Sequence, residues 1–316
     1  MLLLFAVACA ASTDCQPEEL FDHAPEAPAD LSPLLQKAQA GDAEAQFRVG
    51  LAYDMGLGVP CDYAQAASWY RKAADRGNPG AQNNLGGLYT RGLGVPQNDS
   101  EAVRWYARAA AEGHPAAQNN LGFMYAVGRG VSRSDESAVF WYRKSADKGY
   151  AGGETNLASM YSAGRGVPSD QKQAVKLYLR AAKRAFAPAE FELGQLYFHG
   201  TGVPQNLAEA IQWFRKAAEH GSAQAQSQLG FAYSHGQGVT LDYAQAERWY
   251  RLAAANGSLE AQHNLPIVLA LIHGNRDASN VVEAEAAPAM RSATPIAITT
   301  EDDLPIGRLS LLGRKR

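Results

Sequence analysis

Apolar and polar positions recur along this chain at one fixed interval. Tyr53, Tyr89, Tyr125, Tyr161, Tyr197 and Tyr233 stand 36 residues apart. Trp69, Trp105, Trp141, Trp213 and Trp249 keep the same register, with Leu177 in the remaining slot. A period of this length without insertions marks a stacked-repeat protein. Within one unit Ala81, Leu85, Leu88 and Tyr89 fall at the spacing of one helical face. Ala102, Trp105, Tyr106, Ala109 and Ala110 mark the face of a second helix. Large rings beside small alanines interlock between neighbours, and no single repeat buries such faces alone. The pattern predicts an all-α solenoid of helix–turn–helix repeats at 45–80, 81–116, 117–152, 153–188, 189–224 and 225–260. Half units flank them. Leu34 to Gly41 matches the end of a repeat, and Ala261, Gln262 and Leu265 restart one before Pro266 breaks it. Both are expected to be capping helices, so the solenoid spans 31–273.

The remaining repeated positions read as turns and caps. Gly50, Gly86, Gly122, Gly194 and Gly230, with Ala158 the exception, let helices approach closely. The turn is GxGV, as in Gly92-Leu93-Gly94-Val95, whose first glycine suits a left-handed residue ending the first helix. A phosphate-cradling loop needs a preceding strand and a third glycine or Lys-Ser/Thr, and neither is present. Asp62, Asn98, Ser134, Asp170, Asn206 and Asp242 are placed as N-caps of the second helix. Gln65, Glu101, Gln173, Glu209 and Gln245 follow three residues later and complete capping boxes, Ser137 departing from type. That register makes these acids caps rather than catalytic carboxylates. Gly77, Gly113, Gly149, Gly221 and Gly257 end the second helix, where Ala185 is the exception. With Gly153, Ala158 and Leu177 also off type, the fourth repeat is expected to form a looser or bent joint.

Composition narrows the partners. The 316 residues are 46% hydrophobic and 19% charged with a formal net charge of −3, which gives no reason to expect nucleic acid. Met1 to Ala11 is far shorter than the roughly 20 apolar residues of a membrane-spanning helix, so no integral span is expected. It has instead the apolar stretch of a secretory signal, with Ala8 and Ala10 placed for cleavage. A lipid anchor on Cys9 is a second form of export, although Ala6 suits that motif poorly. Residues 12–30 then read as a disordered leader, and the protein as secreted or periplasmic. Loss of Cys9 leaves Cys15 and Cys61 as a candidate disulfide pair, or as two unrelated thiols.

In motif, period and turn the chain resembles the Sel1-like repeat family, relatives of tetratricopeptide repeats, over about residues 30–270. The resemblance implies a right-handed superhelix of paired antiparallel helices whose first helices line a concave groove. It also implies a non-catalytic adaptor or scaffold in signalling, secretion or envelope processes. A cysteine-rich bacterial subgroup is linked to β-lactam binding and hydrolysis. This chain lacks that subgroup's paired cysteines, so none of that activity is carried over, and a hydrolase acting on a cell-wall or β-lactam compound stands only as the alternative function.

If positions 1, 5, 8 and 9 of each first helix face the core, positions 3, 7 and 10 face the groove. They vary between copies, as a recognition surface does. The candidate contacts with a protein or peptide partner are Phe47, Asn83, Asn119, Phe123, Thr155, Phe191, Gln195, Phe198 and Phe231. The amides are placed to hold a peptide backbone and the phenylalanines to serve either as anchors or as core. His199 and His235 stand one repeat apart but lack the third and fourth ligands of a zinc site. No cofactor, metal or catalytic residue is expected. Residues 276–316 read as mostly disordered, with Leu309, Leu311 and Leu312 as a docking motif for a partner or for the groove itself.

Overall fold

The computed structural model describes residues 31–274, and these form fourteen α-helices with no strand among them. The first and second helices of the six repeats pair in chain order. They are α2 (Ala43–Met55) with α3 (Tyr63–Asp75), α4 (Pro79–Arg91) with α5 (Asp99–Ala111), and α6 (Pro115–Val127) with α7 (Asp135–Asp147). The second half continues with α8 (Ala151–Ala163) and α9 (Gln171–Ala182), α10 (Ala187–His199) and α11 (Leu207–Glu219), and α12 (Ala223–His235) and α13 (Tyr243–Ala255). A short α1 (Ser32–Gln39) precedes them and α14 (Leu259–Ile272) follows, at the two predicted half units. Each helix packs on its neighbours in the chain, and first helices also meet along the stack, as α6 meets α8 and α12 meets α14. The result is an all-α solenoid. The leader, Cys15, the signal-like segment and the tail lie outside the described residues. No described helix is long and apolar enough to cross a membrane.

The core repeats with the sequence. Ala81, Leu85 and Leu88 of α4 are fully buried, as are Ala66, Tyr70 and Ala73 of α3. A ring of that size removes roughly 150–250 Å² from water. The glycine at position 6 exists for it. A Cβ on Gly50 would lie 2.5 Å from the Tyr70 ring, and one on Gly194 2.4 Å from Phe214. The second glycine of the turn has a role that its left-handed backbone only half explains. Gly130 has φ +68°, and a Cβ there would lie 2.3 Å from the Asp99 carbonyl oxygen at the start of α5. From the second repeat onward each turn therefore seats itself on the second helix of the preceding repeat, as Gly94 does on Tyr63 and Gly238 on Leu207. Between the two glycines, Arg129 grips Asp99 through both carboxylate oxygens at 3.1 and 2.9 Å and donates to the Thr90 carbonyl at 3.2 Å. Arg165 does the same to Asp135 and Ala126 one repeat later. Its guanidinium holds the Asp135 carboxyl below the usual carboxylate range.

All six predicted N-caps accept a bond from a free N–H of the second helix, for example Asn98 from Glu101 at 3.1 Å and Asp242 from Gln245 at 3.0 Å. The reciprocal half of the capping box is corrected. The cap residue's own N–H donates to the carbonyl of the repeat's invariant tyrosine, Asn98 to Tyr89 and Asp170 to Tyr161 at 2.9 and 3.0 Å. That donor is already satisfied, so the Glu or Gln side chain has nothing to reach back for. The fourth repeat is also corrected. A Cβ on Gly153 would lie 2.3 Å from the Ser145 hydroxyl oxygen, and that hydroxyl, in a slot other repeats fill with alanine, donates to Pro115 O at 2.8 Å. Glycine and serine there exchange bulk, and the joint is close-packed rather than loose. Ala185 takes the left-handed backbone of the missing glycine, with φ 58°.

One repeated contact was not foreseen. At position 2 of the first helix Gln46, Gln82, Gln118 and Gln226 each donate to the carbonyl of Ala38, Ala74, Ala110 or Ala218, at 2.9–3.2 Å. This ties the last turn of the preceding second helix, whose carbonyls lack helical partners. Glu154 takes that slot in α8 and has no N–H to give. Arg180 donates to Ala146 O in its place, at 3.1 Å, and pairs with Glu154 at 2.7 Å, while Arg184 takes the other carboxylate oxygen at 2.8 Å. Glu190, in the same slot of α10, meets His220 at 2.6 Å.

Candidate binding groove

The first helix has two buried faces. One packs on the preceding second helix through positions 1, 5 and 9, and the other on its own second helix through position 6. At 100° per residue the middle of this broad arc lies opposite positions 4, 7 and 11. Those positions form the open row, although Leu51 and Met55 of the first repeat and Asn84 and Asn156 are buried in it, and it replaces the expected set of 3, 7 and 10. Position 10 is turned inward. Tyr70 donates to Asp54 at 2.8 Å, Thr90 and Tyr106 hydroxyls meet at 3.3 Å, and Ser234 is 2% exposed.

The candidate residues divide accordingly. Phe123, Gln195 and Phe231 stand on the open row and are half-buried. Phe231 stacks on His235, with ring centroids 4.1 Å apart. Phe47 lies 5.9 Å from the Tyr70 ring, and Phe191 and Phe198 lie 5.7 and 6.4 Å from Phe214, all packed on their own second helix. Asn83, Asn119 and Thr155, at position 3, sit at the edge of the row. His199 and His235 both occupy position 11, and burial lowers the His199 pKa. Among the described residues no three His, Cys, Asp or Glu side chains group as metal ligands.

Asn83 and Asn119 belong to a ladder that joins four repeats. Asn156 donates to Asn119 at 2.8 Å, Asn119 to Asn120 at 3.4 Å, and Asn120 to Asn83 at 3.0 Å. Asn83 donates to Asn84 at 3.2 Å, Asn84 to the Tyr70 hydroxyl at 3.2 Å, and Tyr70 to Asp54. Every amide donates in the same sense, toward Asp54. Burial raises the Asp54 pKa, with the Tyr70 bond opposing, and pushes that of Tyr70 well up. Position 4 supplies Asn84, Asn120 and Asn156. Their 36-residue spacing was the available signal, and assigning only position 3 to the groove passed over it.

Glu192 continues position 4 in α10. Position 3 of the previous repeat, which answers it, is Thr155, whose hydroxyl donates instead to Ala151 O at 2.8 Å. Burial raises the Glu192 pKa from 4.5 to about 7. A carboxyl that binds its proton more tightly when folded adds stability that is full below pH 4.5 and is lost as pH rises through about 7. Glu192→Gln should therefore melt higher than wild type at about pH 8 and show little or no such advantage at about pH 5. Thermal melts at both values check this, and an equal difference at the two would refute it.

A profile described as Sel1 repeat matches six consecutive segments, 43–78, 79–114, 115–150, 151–186, 187–222 and 223–258. The crystal structure of a protective antigen from uropathogenic Escherichia coli strains, described as displaying an SLR fold, is 35% identical, with a TM-score of 0.66. The match covers 83% of this chain and 57% of that one, so the chain spans little more than half of that relative. A Sel1 repeat protein from Oxalobacter formigenes is 38% identical, with a TM-score of 0.64, over 74% of this chain and 67% of that one. Comparison with curated proteins gave no match.

Proposed function

This chain belongs to the Sel1 repeat family, and we propose that it is a non-catalytic scaffold binding a protein or peptide partner through its groove. The observation that carries this is the division of labour within the repeat. Positions 1, 5, 6 and 8 and the turn glycines are committed to packing, while the open row changes from copy to copy around a continuous amide ladder. A partner laid along that row meets Phe123 and Phe231 as apolar anchors and the edge of the asparagine ladder as hydrogen-bonding surface, the mixture typical of a recognition face. The signal-like segment Met1 to Ala11 supports placement in the bacterial cell envelope, as a secreted or periplasmic protein or one anchored at Cys9.

Capture from envelope extract, with mass spectrometry of what is retained, identifies the partner. Phe123→Ala and Phe231→Ala are each expected to weaken its binding about tenfold or more, the loss of one anchor residue. Asn119→Ala opens the ladder and should weaken it as well. Phe140, 51% exposed on the second-helix side, supplies the contrasting variant Phe140→Ser. A partner lost on Phe140→Ser and kept by the three groove variants places binding on the opposite face.

A further inference from the structure

We propose that Glu192 receives a cationic side chain, lysine or arginine, of a peptide bound in the groove, an inference that rests on the groove function above. The ladder is the frame. In each rung an amide at position 4 meets position 3 of the preceding repeat, Asn120 with Asn83 and Asn156 with Asn119, at 3.0 and 2.8 Å. The next rung is Glu192 with Thr155. Above about pH 7, where Glu192 is ionised, neither side can complete it, because a carboxylate has no proton to donate and the Thr155 hydroxyl is spent on Ala151. No lysine or arginine stands on the open row of α8, α10 or α12; the titratable groups that share the row with Glu192 are His199 and His235, both at position 11, and burial lowers the His199 pKa. The flanking open-row groups are amide, hydroxyl and aromatic, Ser159, Gln195, Gln228 and Phe231, and beneath them lies the buried Tyr178 hydroxyl of α9, whose pKa burial and then the Glu192 charge raise. Desolvation without a charged partner is the condition in which an added cation gains most from a carboxylate. The half-exposed aromatic ring of Phe231, one repeat further on, suits the aliphatic stem or the charge of the same side chain.

Two immobilised pools of nonapeptides test this, each randomised over uncharged residues except at the centre. One pool carries lysine there and the other norleucine. Full-length protein is applied at about pH 8, with Glu192→Gln and Asn119→Ala alongside and melts to confirm that each is folded. Wild type is expected on the lysine pool about tenfold above the norleucine pool, the ratio for one charge-assisted bond. Glu192→Gln should lose that difference. A preference that persists in Glu192→Gln, or equal retention of the pools by wild type, overturns the inference. If retention is equal and Asn119→Ala weakens both pools, the groove function stands and the cation receptor falls. Retention of neither pool by wild type overturns both, including the outcome in which residues 276–316 or a second copy already fill the groove.

Discussion

Gly130→Ala is expected to cost about 2–5 kcal/mol, combining roughly 1–2 kcal/mol for an L-residue held left-handed with about 1–3 kcal/mol for overpacking. The overpacking is severe because the new methyl would lie 2.3 Å from backbone, the Asp99 carbonyl oxygen, which no rotamer change relieves. Gly77 separates the two contributions. It has φ +86° and nothing within 4 Å of an added Cβ, so Gly77→Ala should cost only about 1–2 kcal/mol. Chemical denaturation measures both, and equal losses would show that contact with the preceding repeat is immaterial. In a solenoid each repeat touches only its neighbours, so the damage should be local. Hydrogen exchange is expected to quicken around α5 to α7 and to change least in α12 and α13.

The second large effect lies at the junction of the third and fourth repeats. Arg180→Ala with Arg184→Ala leaves Glu154, 0% exposed, without either guanidinium. Removing the partners of a buried charge typically costs about 3–5 kcal/mol. The two arginines are 43% and 48% exposed, so water enters where they stood, and about 2–4 kcal/mol is the better expectation. Adding Glu154→Gln to the double variant should restore most of that loss. The amide then donates to the Ala146 carbonyl as Gln118 donates to Ala110. A thermodynamic cycle over the single, double and triple variants gives the coupling. A triple variant no more stable than the double would mean that the amide does not replace the ion pairs.

Much of this is legible in the sequence. Period, helix pairing, N-caps and turn glycines follow from which residue types can occupy each site, and six copies repeat the evidence. Contacts between helices are not, and three of them share a reason. The groove row was assigned from one buried face, while the burial of Tyr70 and Phe214 against position 6 makes a second and rotates the open arc from 3, 7 and 10 to 4, 7 and 11. The capping boxes counted a side-chain acceptor without asking whether the Asn98 N–H already donated to Tyr89. The fourth repeat was judged by its departures singly, although Gly153 and Ser145 compensate each other. Each error treated a residue within its own helix when its partner stood on another.

The position 2 contacts also bear on how such a chain can be recombined. Repeats of equal length look like interchangeable cassettes, and excision of 151–186 would preserve the period. It would, however, set Glu190 and His220 beneath the Ala146 carbonyl, with Lys216 where Arg180 had stood. Cassettes bearing glutamine at position 2 bring their own tie to the preceding helix, and as far as that tie goes can follow any other. The two bearing glutamate are keyed to basic residues of their own second helix, so transplantation must move helix pairs whole.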